Sequence, residues 1–220
     1  MFNTVNLHLY HYAGNNPLKY TDPDGNYINS IFSYSKMGDN PWGNNKINSI
    51  DKSEMGKYGC AITGMANIFT TALNNREGNG YHTRSLATPV FINKKENFDT
   101  NTDNIDWSAV ANSMGMKATR SKVGDSDAAI ASLLSANMSG KNVSALVQVP
   151  ITTSQGDSNH WVGVDGNLVD LKNNNELWVK VSPTSTNDNR NRLGNSNWAQ
   201  GNDGSMYVKV QSITGTVIVE

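Results

Sequence analysis

Hydrophobic positions fall into two regimes along this chain. In three segments between residues 61 and 138 they recur at the three-to-four spacing of a helix face, and from about residue 144 onward they bunch into short β-branched and aromatic runs. In the first regime Ile62, Met65, Ala66, Phe69 and Leu73 make one apolar stripe, which predicts a helix from Ala61 to Leu73 with Cys60 at its start. Two more helices are predicted: Asp106 to Met114, begun by an aspartate cap, and Asp125 to Met138, with Ala129, Ile130, Leu133 and Leu134 on its apolar side. In the second regime SALVQVPI, HWVGVDG, LVDL, ELWVKVSP and SMYVKVQSITGTVIVE are separated by Gly, Asn and Asp clusters and read as strands. Helices first and an antiparallel sheet second is an α+β plan.

Outside these elements the pattern weakens. Tyr27 to Lys57 has little periodicity and reads as an ordered surface loop around Trp42. Asn74 to Asp103, broken by Gly78, Gly80 and Pro89, reads as a loop with one short helix, and the Asn-rich stretch Thr186 to Asn197 as a long loop. The first 26 residues differ from the rest: alternating Leu and Tyr positions suggest a short strand, and NNP and DPDG are turn signals.

Composition sets bounds on this picture. A polypeptide of 220 residues with 37% hydrophobic side chains is long enough to bury one main core. A formal charge of -1 and a charged fraction of 17% give no broad field for nucleic acid or an anionic membrane. No apolar run approaches the roughly 20 residues that span a bilayer, and MFNTVNLHLY lacks the features of a signal peptide. The expectation is a soluble protein whose export, if any, uses another route.

Cys60 is the only cysteine, so it has no internal disulfide partner. A thiolate is favoured at a helix N-terminus and beside an imidazolium, and the same helix end supplies N–H groups for an oxyanion. Of four histidines, His8 and His11 lie in the N-terminal segment and His82 in a Gly-rich loop; His160, opening a predicted strand next to Trp161, is the best-placed base. No zinc spacing, calcium loop, GxxxxGK[ST] or GxSxG motif is present, and no cofactor is expected.

Two resemblances sharpen the reading. YHYAGNNPLKYTDPDGN resembles the signature that ends the core of RHS-repeat proteins, which implies that residues 1–26 are the C-terminal remnant of such a core and 27–220 the variable effector or toxin module after it. WGNNKINSIDKSEMGKYGCAITGMANIF, IDWSAVANSMGM and NHWVGVDG, in that order, resemble the C39-like branch of papain-fold cysteine peptidases. That likeness implies a papain-like fold, with the cysteine helix packed on a C-terminal antiparallel sheet, and a cysteine peptidase or amidase acting on a protein or peptide substrate. An immunity protein is the partner such a toxin would have.

Carried over by position, Cys60 is the nucleophile and His160 the general base, while Trp161 and Trp42 line the substrate cleft or, for Trp161, the core. The family's oxyanion glutamine is absent; Lys36 and Met37 stand at that place in the sequence, and Lys36, whose ammonium can stabilise an oxyanion, joins Cys60 as an oxyanion candidate. The family's third catalytic residue meets Ser182-Pro183 here, so Ser182 and Asp188 rank ahead of Asn187, Asp165 and Asp170. A deamidase or transglutaminase would use the same Cys-His pair, and an inactive binding module would have the thiol and imidazole apart.

Overall fold

The computed structural model describes residues 43–47, 59–77, 88–98, 105–138, 143–153, 156–172, 174–182 and 196–220. The segment 1–26, with its RHS-like signature, lies outside them, as do Lys36, Trp42 and Asp188.

The described helices are α1 (Cys60–Glu77), α2 (Pro89–Ile92), α3 (Trp107–Ser113) and α4 (Ser126–Met138). The strands are β1 (Ala118–Arg120), β2 (Ser144–Thr153), β3 (Gly156–Val169), β4 (Trp178–Ser182), β5 (Trp198–Gln200), β6 (Met206–Lys209) and β7 (Gly215–Val219). They form one antiparallel sheet in the order β1-β7-β2-β3-β4-β6-β5. The fold is therefore α+β, with β2 and β3 in the middle.

Sequence dictates where the helices begin. Asp106 accepts a hydrogen bond from the Ala109 amide at 2.9 Å, Asp125 accepts one from Ala128 at 2.9 Å, and Thr88 accepts one from Phe91 at 3.1 Å. Each satisfies a donor that the first helical turn leaves without an intrahelical partner. Helix α1 differs: its first bond runs from the Thr63 amide to the Gly59 carbonyl at 2.9 Å, so its cap is a glycine with no side chain to offer.

Both faces of the sheet are covered. On one face α1, α2 and α3 pack Ile62, Met65, Phe69, Ile92, Trp107 and Val110 against Leu146, Trp161, Val217 and Val219. On the other, Ala129, Leu133 and Ala136 of α4 meet a layer of strand residues that includes Val147, Val162, Val179, Val208 and Ile218. Leu146 and Val147, neighbours in sequence, thus enter different cores, which is why β2 reads as a continuous apolar run.

Helix α1 is enclosed further round than its five-residue stripe predicts: every residue from Ile62 to Thr71 is buried, Thr63, Asn67, Thr70 and Thr71 included. Thr71 settles its hydroxyl by donating to the Asn67 carbonyl at 2.9 Å.

Three further differences from the sequence reading have local causes. HWVGVDG and LVDL are one strand, β3, because a register shift between Val164 and Leu168 absorbs Asp165 and Gly166, with Gly166 at a φ of 115°. SMYVKVQSITGTVIVE splits into β6 and β7 around a 3-10 turn at Val210–Ser212. Finally, β1 and β5 are three-residue edge strands whose sequences, ATR and WAQ, are too short to show a period.

Candidate functional site

Cys60 is the first residue of α1 and is partly exposed. Its sequence context explains the position: Gly59 lets the backbone enter the helix without a competing cap from its own side chain, leaving the first-turn amides pointing at whatever lies before them. His160 is buried on β3, opposite Val149 of β2. The two come from elements far apart in sequence, and the packing of α1 on β3 and β2 brings the thiol and imidazole within hydrogen-bond reach.

Four influences act on that thiol against one. Burial pushes its pKa up, and this is the largest single effect. The charge of His160, a hydrogen bond with its imidazole, and the backbone N–H groups of Trp161 and Ala61 together outweigh burial and hold Cys60 below its ordinary value. The Ala61 amide belongs to the first turn of α1, where Gly59 has no side-chain oxygen to compete for such donors.

Trp161 reaches the sulfur through its backbone, not its ring. Paired with Gln148 across β2, it lies outside the span that β4 pairs, which begins at Gly163 opposite Ser182 among the described residues. Its indole sits in the core at 6% exposure, against Trp107 with ring centroids 5.1 Å apart. Over this pair lies Arg120 of β1, its guanidinium carbon 5.7 Å from the Trp161 ring and 6.0 Å from Trp107. Neither Trp107 nor Arg120 stands out in the sequence; WSAVANS shows only a helix and ATR shows nothing.

The remaining candidates separate. Ser182 ends β4 beside Gly163, three residues along β3 from His160, a rise of about 10 Å, so the register does not set it against the imidazole. Asp165 has its carboxylate 3.7 Å from Lys180, which also faces Asp203 at 3.9 Å. Asp170 lies just beyond β3 and accepts from the Asn174 and Asn175 amides at 3.1 and 2.9 Å, closing a turn with Asn175 at a φ of 61°. Both aspartates therefore have structural employment.

Among the described residues, no three His, Cys, Asp or Glu side chains are grouped as metal ligands, and no helix is long and apolar enough to cross a membrane. Comparison with known families finds no family model that matches the sequence, and no curated protein matches it.

Proposed function

We propose that the protein is a papain-like thiol hydrolase that cleaves an amide bond in a protein or peptide, acting as the C-terminal effector module of an RHS-family protein. The observation that carries this reading is the Cys60 thiol at the start of α1, in contact with His160 and held below its ordinary pKa. The contact also weighs against an inactive binding module, for which thiol and imidazole would stand apart.

In this reading the Cys60 thiolate attacks the amide carbonyl carbon. The charge that develops on the carbonyl oxygen is met by the first-turn amides of α1, whose N-terminal dipole favours it. The His160 imidazolium protonates the departing amine, leaving an acyl group on Cys60; His160 then takes a proton from water as water attacks the acyl carbon, and the thiolate is regenerated. Were the attacked amide a glutamine side chain, ammonia would be the leaving group, and capture of the acyl group by water would make the reaction a deamidation, by an acceptor amine a transglutamination.

The test is the pH dependence of Cys60 alkylation by iodoacetamide, followed by mass spectrometry of a peptide and protein mixture exposed to the protein. Fast labelling at and below neutral pH with new peptide ends supports the peptidase; single-dalton shifts without cuts reassign the acceptor. Labelling with the rate and pH profile of an unfolded thiol rejects all three reactions.

A further inference from the structure

Arg120 is half-buried on the edge strand β1, and burial pushes its guanidinium below its ordinary pKa. The guanidinium lies over the Trp107 and Trp161 rings at the outer edge of cation–π range, and rings do not accept its N–H donors along their fork directions. Among the described residues it has neither a carboxylate within ion-pair distance nor a hydrogen-bond acceptor.

A second, independent donor in the same cluster is in the same condition. Trp107 is 5% exposed, and its indole N–H has no acceptor among the described residues. A buried donor left without an acceptor costs stability, and the half-buried guanidinium has given up part of its water without a counter-charge among the described residues. One aromatic cluster thus carries two donors without an acceptor among the described residues, and the half-buried guanidinium is the one a ligand of opposite charge can reach.

Its position relates it to the nucleophile. Trp161 donates its amide to Cys60 at one end and lies under Arg120 at the other. The ring is kept on this path by Gly215 of β7, where a Cβ would come within 3.3 Å of its edge. Arg120 and Cys60 are thus joined through a single rigid residue.

We propose that Arg120, held on Trp107 and Trp161, is a specificity-determining residue that binds a carboxylate of the substrate, one or two residues from the amide that Cys60 attacks. Such a carboxylate belongs either to an Asp or Glu side group or to the C-terminus of a peptide, and its two oxygens match the guanidinium fork. This rests on the thiol hydrolase reading of Cys60.

Paired alkylating probes test it without a known substrate. The Cys60 sulfur displaces bromide from a bromoacetyl group, forming C–S and breaking C–Br, so second-order rates report how each probe is held. Bromoacetyl-glutamate α-amide against bromoacetyl-glutamine α-amide reads an acidic side group; bromoacetyl-glutamine against its α-amide reads a terminal carboxylate. The acid member of one pair is expected to react about tenfold faster at low salt. In Arg120→Gln that ratio, taken between two probes on the same variant so that any change in Cys60 reactivity cancels, falls to near one, and Arg120→Lys retains part of the preference. Ratios near one for both pairs in the wild type overturn the proposal whether or not the variants fold. A ratio unchanged in Arg120→Gln also overturns it, assigning the preference to the His160 charge. An ordinary iodoacetamide pH profile would instead sink the thiol hydrolase reading, while the ratios still report on Arg120.

Discussion

At residue scale the sign of the Cys60 effect fixes what its partner's removal does. His160→Ala deletes the opposing charge and one hydrogen bond and leaves the burial opposed only by the Trp161 and Ala61 amides, so the thiol pKa rises from its lowered position. Alkylation of the variant is therefore expected to rise at higher pH than that of the wild type; stopped-time iodoacetamide labelling across neutral and alkaline pH checks this. An identical profile in both would show that the imidazole does not hold the thiolate. Cys60 itself was legible because helix-face spacing starts right after it, and His160 because it opens a run of strand residues. The Trp161 amide was not legible, since a backbone donor carries no sequence signal; it exists because β4 does not pair that part of β3 among the described residues.

At the scale of elements, the caps were readable because the physics is local. Asp106 and Asp125 each bond an amide three residues on, and replacing either with Ala is expected to cost about 1 kcal/mol, measured by urea unfolding. Strand boundaries were less readable wherever the cause is a distant partner. The three residues of β1 are a strand only because Val217 to Val219 run alongside them, and β3 is continuous only because β2 and β4 hold it across the Asp165-Gly166 irregularity. Gly215 belongs to the same class. Its backbone needs no glycine, but a Cβ there would come 2.9 Å from the Gln148 Oε1 and 3.2 Å from the Gln148 Cβ. Gly215→Val is expected to destabilise by about 1–3 kcal/mol and, by displacing the Trp161 ring, to change the intrinsic tryptophan emission; an unaltered spectrum would show that the ring has room to move.

For the whole molecule, the α+β plan followed from the switch in hydrophobic period, whereas the two-sided covering of the sheet did not, because α4 and α1 carry no mark of the face each will choose. Phe69, fully buried in the core under α1, tests how far the site leans on that packing. Phe69→Ala is expected to cost about 3–5 kcal/mol and to slow Cys60 alkylation near neutral pH, as α1 loosens from β3; loss of stability with an unchanged labelling profile would separate the site from the core. Strand order adds a consequence in time. Strand β7, from the far end of the described sequence, lies between β1 and β2, so as the polypeptide leaves the ribosome β2 lacks that neighbour until residues 215–219 have emerged. Helix α1 packs on β2, β3 and β7 together, so its seat is complete only once those residues are in place. The face that seats Cys60 beside His160 is thus one of the last parts of the described sheet to be finished, however early its helix is made.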